Sequence, residues 1–424
     1  MKLTGIIAEY NPFHSGHAFH IKKSKEITGS DFCVVVMSGD FVQRGEPAVF
    51  SKYLRTRMAL CCGADLVVEL PSVFAVSSAE DFAACGTALL TALGVMDTIS
   101  FGSEDGSVQD IMAAASLLAE ESPEFARRLN QEMKKGLSWP QARNRALLSL
   151  SEETPGFPLA PDRLNQLLGS PNNLLGIEYC KAISRSRSHL TPVTVKRAGQ
   201  GYHDQELGLG QASASAIRSL LTSMHAGGGS DSDLPAALAA HVPAGILSLY
   251  QEEPPVTADD LSGLLNYTLL TMAAQGTDLS SYADLSREMA SRLRTRLLEY
   301  DSWEGRIRQL KTRQYTYTRI SRALLHLLLG ITDRELEQYK SAGYAPYARI
   351  LGFRSESKEV LSIIKKCSSI PLITKTADAR HILTGTALSM LERDIYATHV
   401  RQSILAHQYG CRTGNEFTQP LCII

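Results

Sequence analysis

Two histidines flank a glycine near the start of the chain, and their setting suits the binding of a triphosphate. The apolar run at residues 3–8 predicts a buried strand that ends at a proline, and a helix is predicted to begin at residues 14–17, HSGH. A helix N-terminus offers N–H groups to phosphate, and Gly16 lets a ligand approach the backbone. The imidazoles of His14 and His17 can donate hydrogen bonds to an α-phosphate and to a leaving pyrophosphate.

A second segment with phosphate-binding character lies at residues 212–218, ASASAIR. Ser213 and Ser215 can cap a helix while presenting hydroxyls and amides to phosphate. Arg218 carries a permanent charge that can reach β- and γ-phosphates from the first turn of that helix. Each segment also has an ordinary interpretation, as a polar turn in the first case and as a serine-capped amphipathic helix in the second.

The elements around these segments alternate between strand and helix. Strands are predicted at residues 3–8, 32–37, 64–71, 96–106 and 191–197, with helical patterns between them. This order predicts an α/β fold with a doubly wound parallel sheet. Ligands of such sheets bind at the carboxyl ends of the strands, where both the first histidine and Gly102 are expected.

The length of 424 residues predicts two domains. A glycine-serine stretch at residues 226–233 is typical of a linker. We therefore predict an α/β domain at residues 1–225 and a mainly helical domain at residues 226–424. Within the second, residues 347–375 predict a small strand–helix–strand unit packed on the helices.

Composition limits the classes of function. Hydrophobic residues at 44% and charged residues at 21% are typical of a globular protein, and the net charge of -1 gives no global signature of nucleic-acid binding. The eight cysteines show no paired CxxC spacing, which argues against zinc and disulfides and indicates a reducing compartment. No signal peptide or membrane span is evident, so a cytoplasmic protein is expected. We also expect no metal site formed by protein side chains.

A basic segment at residues 303–322 interleaves six Arg or Lys residues with two tyrosines against a single acid. Guanidinium groups bind phosphates and tyrosines stack on unpaired bases, so the segment predicts RNA binding, with a solvated helix face as the alternative. The predicted RNA-binding residues are Arg306, Arg308, Lys311, Arg313, Tyr315, Arg319 and Arg322.

The two phosphate-binding segments together resemble the nucleotidyltransferases with a HIGH-type first motif, a superfamily related to class I aminoacyl-tRNA synthetases. Ala214 and Ala216 stand where that superfamily often has serine or threonine. The stretches IIAEYNPFHSGHAFHI, VVVMSGDFVQRGEPAVFSK, ADLVVELP, FGSE, PNNLLGIEY and AGQGYHD, in this order, resemble one bacterial family. That family is the tRNA(Met) cytidine acetate ligases, and the resemblance covers nearly the whole chain.

The resemblance implies that ATP and acetate form acetyl-adenylate with release of pyrophosphate. The acetyl group would then pass to N4 of the wobble cytidine of elongator tRNA(Met). The implied ATP site consists of Ile7, Ala8, Glu9, Tyr10, Asn11, Pro12, Phe13, Gly16, His20, Gly102, Asn172 and Arg197, with Asn173 as an alternative to its neighbour. His14, His17, Arg197 and Arg218 would neutralise the phosphates together with Mg²⁺.

Asp40 follows a predicted strand and is expected to face the same crevice, where its carboxylate would assist the attacking cytosine amine. The alternative is an ordinary turn aspartate that caps the following loop. Two other functions stay open. One is an enzyme that adenylates a small phosphorylated metabolite, and the other is a non-catalytic RNA-binding protein with a regulatory nucleotide pocket.

Overall fold

The computed structural model describes residues 1–154, 156–196, 213–227, 234–299 and 301–424. Its strands are β1 (Leu3–Ala8), β2 (Phe32–Ser38), β3 (Phe41–Val42), β4 (Glu46–Pro47), β5 (Leu66–Leu70), β6 (Thr98–Ser103), β7 (Thr191–Lys196), β8 (Ala348–Phe353), β9 (Leu372–Ile373) and β10 (Cys422–Ile423). β3 and β4 form a hairpin, and the other described strands form one sheet in the order β10-β8-β5-β2-β1-β6-β7, with β9 beside β8.

The first strand occupies the middle of this sheet. β1 pairs in parallel with β2 on one side and with β6 on the other, and β5 and β7 extend the parallel region outward. The predicted doubly wound parallel sheet is therefore confirmed. Because the order reverses on either side of β1, the loop that follows β1 lies at the crevice where such folds bind ligands.

Helices cover both faces of the sheet. They are α1 (Ser15–Thr28), α2 (Lys52–Cys61), α3 (Ser72–Ala75), α4 (Ala79–Ala92), α5 (Val108–Ala119), α6 (Pro123–Lys134), α7 (Trp139–Glu153), α8 (Pro161–Leu168), α9 (Pro171–Ser186), α10 (Ala214–Gly227), α11 (Leu234–Leu238), α12 (Ser262–Ala274), α13 (Arg287–Thr295), α14 (Trp303–Leu310), α15 (Tyr317–Leu329), α16 (Asp333–Ser341), α17 (Lys358–Cys367), α18 (Ala379–Ile382) and α19 (Gly385–Tyr409). Alternate residues of β2 explain why both faces are apolar. Val34 and Val36 belong to one core, whereas Val35 and Met37 belong to the core on the opposite face.

The C-terminal part of the chain adds strands to the same sheet. β8 pairs antiparallel with β5, and β10 pairs in parallel with β8. The predicted strand–helix–strand order of residues 347–375 is right, but the strand β8 joins the main sheet, so the prediction that these residues form a small unit packed on the helices is wrong. The main-chain N–H and C=O groups of β8 find partners on β5, which lies far away in the sequence. The division of the chain near residue 226 stays a prediction.

A buried network of charges joins the N-terminal and C-terminal parts. The Lys52 ammonium lies 2.8 Å from the Glu69 carboxylate and 2.9 Å from that of Glu416, and Arg349 lies 3.1 Å from Glu69. The side chains of all four residues are at most 4% exposed. Burial acts to raise the pKa of Glu416, but Lys52 and Arg349 hold it at about 2. The two cations and two carboxylates balance one another in the core.

Removing one carboxylate from this network should destabilise the fold. In Glu416→Ala, Lys52 and Arg349 share one carboxylate, so we expect the free energy of unfolding to fall by about 3–5 kcal/mol. Glu356→Ala removes an acid that is 78% exposed beside Arg354 and should cost less than about 1 kcal/mol. Urea denaturation of both variants measures the difference, and equal midpoints would contradict it.

Asp394 of α19 is a second buried acid near this network. Its carboxylate accepts hydrogen bonds from the Ser72 N–H at 2.6 Å and from the Tyr347 hydroxyl at 2.5 Å. Burial, followed by the nearby charge of Glu69, raises the pKa of Asp394 from 3.8 to about 7. Between these two pKa values, the Asp394 carboxyl group therefore keeps its proton in the folded protein but has lost it in the unfolded chain.

This proton makes stability depend on pH. Because the folded pKa lies above the unfolded one, the stabilisation is fully present below pH 3.8 and is lost as the pH rises towards about 7. Asp394→Asn has no proton to lose, so the unfolding free energy of the wild type should fall relative to the variant across this range. The limiting slope is about 1.4 kcal/mol per pH unit. A constant difference between pH 4 and 8 in urea denaturation would refute this linkage.

Candidate active site

The two histidines of the first motif form a reciprocal cap at the start of α1. The Gly16 N–H donates to His14 Nδ1 at 3.0 Å, and the His14 N–H donates to His17 Nδ1 at 3.2 Å. The two rings stack with centroids 3.8 Å apart. Because each Nδ1 accepts a hydrogen bond, a neutral ring carries its proton on Nε2, which leaves Nε2–H as the donor of both imidazoles.

The main-chain amides of this helix end are already engaged. The Ser15 N–H donates to the His241 carbonyl at 2.9 Å, and the His17 N–H donates to the His14 carbonyl at 2.9 Å. The prediction that α1 offers unpaired N–H groups to phosphate is therefore wrong, because the histidine cap and His241 satisfy them. The helix dipole remains, and the imidazoles are left as the local donors.

The second motif lies directly against the first. The Ser213 hydroxyl accepts from the Ala216 N–H at 3.1 Å and so caps α10. The Arg218 guanidinium donates to the Asn11 carbonyl at 2.7 Å and to the Ser215 hydroxyl at 3.1 Å. The sequence segments that predicted phosphate binding are thus joined by hydrogen bonds, although about two hundred residues separate them along the chain.

Residues of both motifs line one cleft of about 230 Å³. The described lining consists of Ile7, Ala8, Glu9, Tyr10, Asn11, His14, Gly16, His17, Phe19, His20, Gln43, Arg44, Phe82, Phe101, Gly102, Asn172, Leu175, Tyr179, Val195, Lys196, Ser213, Ala214, Ser215 and Arg218. It combines histidines and cations with aromatic and aliphatic side chains, a composition that suits a nucleotide with its phosphates and base.

Arg55 of α2 stabilises the backbone at the ends of β1 and β2, next to this cleft. Its fully buried guanidinium donates to the carbonyls of Glu9 at 2.7 Å and Ser38 at 3.0 Å, and also to that of Gly39. Its Nε donates to the Phe50 carbonyl at 2.9 Å. Burial lowers the pKa of Arg55 to about 10, and Asp40 opposes that effect, so the group stays charged at neutral pH.

Glu9 is the acid that lines the described part of the cleft. Its Oε1 accepts from the Gln43 N–H at 2.9 Å. Burial raises the pKa of Glu9, while the Gln43 N–H and the charges of Arg44 and Arg218 act to lower it. The negative charge of Glu46 adds to the effect of burial, so the carboxyl group lies between two cations and a second acid.

Asn172 and Asn173, two neighbours at the start of α9, lie in different surroundings. Asn172 lines the cleft, and its amide donates to Glu104 Oε1 at 2.6 Å. Asn173 is 1% exposed, and its side-chain oxygen accepts from the Glu104 N–H at 3.1 Å. Of the two alternatives, Asn172 has the position suited to a ligand. Arg197 and the loop AGQGYHD lie outside the described residues.

Other predicted residues lie elsewhere. Pro12 and Phe13 are buried beneath the loop and do not line the cleft. The expectation that Asp40 faces the crevice is wrong, because its carboxylate accepts from the Lys52 N–H at 2.8 Å and lines a separate cavity. The start of α2 and the charge of Arg55 attract this carboxylate inward, which fits the alternative of a capping aspartate.

Several cleft residues were not predicted from the sequence. They are Phe19, Gln43, Arg44, Phe82, Phe101, Leu175, Tyr179, Val195, Lys196 and Ala214. Gln43 and Arg44 stand in the polar turn of the β3–β4 hairpin, and Lys196 ends β7. A polar residue at the carboxyl end of a parallel strand was the available signal for Lys196.

The basic segment is only partly a surface. Arg308, Lys311 and Arg313 are exposed. Arg306 is 1% exposed and donates to the Asn266 side chain at 2.7 Å, so its predicted contact with RNA is wrong. Its guanidinium instead satisfies an amide oxygen and two main-chain carbonyls in the core of the helical region.

The remaining predicted RNA contacts are tied to neighbouring acids. Arg322 donates to Asp284 at 2.8 Å, and Arg319 lies over the Tyr315 ring at 5.2 Å. Burial acts to raise the pKa of Asp284, but the charges of Arg322, His326 and Arg319 hold it below its ordinary value. Arg322 therefore neutralises a local carboxylate, whereas Arg319 and Tyr315 remain half-exposed.

Among the described residues, no group of three or more His, Cys, Asp or Glu is arranged to hold a metal ion. No helix within the described ranges could cross a membrane.

Comparison with known proteins gives matches across the chain. The family described as HIGH Nucleotidyl Transferase matches residues 1–416. The tRNA(Met) cytidine acetate ligase of Acetivibrio thermocellus is 37% identical over 429 residues, which is 100% of both chains. The tRNA(Met) cytidine acetate ligase of Clostridium acetobutylicum is 39% identical over 390 residues, covering 88% of this chain and 90% of that one.

Solved structures give the same result at the level of the fold. The crystal structure of apo Thermotoga maritima TmcAL has a TM-score of 0.90 at 28% identity, with 100% of both chains covered. The structure of that protein bound with alpha-thio ATP has a TM-score of 0.87. The likeness therefore includes the C-terminal strands and helices as well as the cleft.

The hydrogen bonds of Arg218 to Asn11 and Ser215 lead to a prediction about ATP binding. A lysine keeps the charge but cannot bridge the Asn11 carbonyl, the Ser215 hydroxyl and a phosphate at once. We expect Arg218→Lys to weaken ATP binding at least about ten-fold, or about 1.4 kcal/mol. Arg308→Lys, at an exposed position outside the cleft, is the matched control. Calorimetric titration with ATP measures both, and equal affinities would contradict the assignment.

Proposed function

The chain belongs to the tRNA(Met) cytidine acetate ligase family, and from this premise we propose that it is an ATP-dependent acetate ligase that acts on tRNA. It forms acetyl-adenylate from ATP and acetate, and then acetylates N4 of the wobble cytidine of elongator tRNA(Met). The observation that carries the proposal is the contact of Arg218 with the Asn11 carbonyl, which unites both phosphate-binding motifs in one cleft.

In the first step, an acetate oxygen attacks the α-phosphorus of ATP, and the bond from that phosphorus to the bridging oxygen of pyrophosphate breaks. The protein contributes alignment and charge neutralisation rather than covalent chemistry. The Nε2–H groups of His14 and His17 donate to the α-phosphate and to the leaving pyrophosphate. Arg218 neutralises the β- and γ-phosphates, and Asn172 lines the same cleft.

Magnesium is expected to accompany ATP. It commonly binds through phosphate oxygens and water with few protein ligands, and the donor set of the cleft, with Glu9 as its described acid, agrees with this mode. The metal supplies charge neutralisation on the triphosphate. The histidines and Arg218 then orient the phosphates around the attacked phosphorus.

For the RNA, we propose a binding surface on the exposed part of the basic segment. Arg308, Lys311 and Arg313 offer their charges to phosphates, and Arg319 with Tyr315 adds a half-exposed aromatic and cationic pair. This surface belongs to the proposed tRNA-binding region at residues 226–424, and the proposed catalytic region is residues 1–225. Because tRNA is the proposed substrate, we propose that the reaction takes place in the cytoplasm.

The decisive measurement is acetate-dependent exchange of labelled pyrophosphate into ATP, followed by transfer of labelled acetyl to a tRNA(Met) transcript. We expect both activities. In His17→Asn, the amide oxygen can still accept the His14 N–H, so the fold should be kept while exchange falls about 100-fold through loss of one donor. Absence of exchange with acetate, both with and without tRNA, would remove the acetyl-adenylate step and favour the metabolite adenylyltransferase. An unchanged biological output of the His17 variant would favour the RNA-binding protein.

A further inference from the structure

A second groove lies next to the cleft. It shares Arg44, Ser215 and Arg218 with the cleft, so the two spaces meet at these side chains. Its volume is about 660 Å³, and its lining also includes Glu46 of β4 and Tyr317 of α15. A group held in this groove lies directly beside whatever occupies the cleft.

Glu46 brings a carboxylate acceptor to this groove. Its Oε1 atom is buried towards the protein, and the Arg218 Nε lies 3.8 Å away, which is close enough for attraction but too far for a hydrogen bond. The Glu46 side chain as a whole is 27% exposed, so the amine of a ligand can approach the carboxylate from the groove.

The backbone that carries Glu46 is held firmly against α15. Gly45 has a φ of +79°, and a Cβ added there would lie 2.3 Å from the main-chain nitrogen of Arg322, so only glycine fits. The Ser321 hydroxyl also donates to the Gly45 carbonyl at 2.8 Å. The acceptor therefore has a fixed place relative to the helix that begins at Tyr317.

Tyr317 gives the groove an aromatic wall. Its side chain is 43% exposed, and its hydroxyl donates to Glu304 Oε2 at 2.7 Å, which anchors the ring. Pro47 and Val256 add apolar surface to the same groove. An anchored ring beside cationic side chains is the arrangement on which unpaired bases stack. The exposed cations of the basic segment precede this tyrosine in the chain.

We propose that this groove binds the acceptor cytosine of the RNA, with Glu46 accepting a hydrogen from its N4 amine. This inference rests on the proposed function and adds the site of the second half-reaction. A carboxylate accepts hydrogen bonds from the N4 amino group of cytosine, whereas uracil presents an O4 acceptor that a carboxylate repels. The groove thus selects the base and sets its amine beside the cleft.

In the transfer step, the N4 lone pair attacks the acetyl carbonyl carbon of the adenylate. The new C–N bond forms as the bond from that carbon to the AMP phosphate oxygen breaks, and its electron pair leaves with AMP. One N4 proton passes to the Glu46 carboxylate and from there to water. The products are N4-acetylcytidine, AMP and a proton.

The first test compares the two half-reactions in Glu46→Ala. Exchange of pyrophosphate reports adenylate formation, and labelled acetyl on a tRNA(Met) transcript reports transfer. We expect transfer to fall about 100-fold further than exchange, because the amine loses its proton acceptor. Glu288→Ala, which removes an exposed acid outside the groove, should affect both rates alike. Equal losses in Glu46→Ala, or transfer at the wild-type rate, would overturn the proposal.

Base selection provides a second test that a general loss of structure cannot imitate. In Glu46→Gln, the side-chain amide can donate to O4 of uracil. A tRNA(Met) transcript with uridine at the wobble position should therefore inhibit this variant about ten-fold more strongly than the wild type. Unchanged inhibition would overturn the proposal. Absence of acetate-dependent exchange in the wild type would reject the proposed function itself, and so differs from a defect confined to Glu46 variants.

Discussion

The buried guanidinium of Arg55 determines how two neighbouring strands can end together. β1 and β2 stop at the same edge of the sheet, and the carbonyls of Glu9, Ser38 and Gly39 there accept hydrogen bonds from Arg55. Buried carbonyls without donors would destabilise this edge. One charged fork satisfies all three carbonyls, and so allows the loop after β1 to turn into the histidine cap.

The sequence predicted the central strands and both phosphate-binding motifs because these depend on local patterns. An apolar run, a turn proline and a histidine-glycine pair fix where a strand stops and a helix starts. Such patterns do not predict the direction in which a polar side chain points. Asp40 does follow a strand, but the N-terminus of α2 and Arg55 draw its carboxylate away from the crevice. These two partners could not be identified before the fold was known.

The number of basic residues in the basic segment likewise could not predict which of their side chains are exposed. Arg306 and Arg308 stand on one helix, two residues apart, yet the first fills the core and the second is exposed. Neighbours two apart on a helix point in very different directions, so composition alone cannot separate them. Likewise, β8 was recognisable as a strand, but its partner β5 could not be read from patterns along one chain. Pairing between distant strands depends on the whole topology.

The end of the chain has a consequence for biosynthesis. Glu416 completes the charge network, and β10 covers the edge of β8. Both emerge from the ribosome after every other part of the sheet, while domains otherwise fold from the N-terminus as they appear. Until Glu416 has been synthesised, Lys52 and Arg349 therefore share a single carboxylate. A nascent chain that pauses between β8 and β10 would expose an open sheet edge, a natural substrate for chaperones.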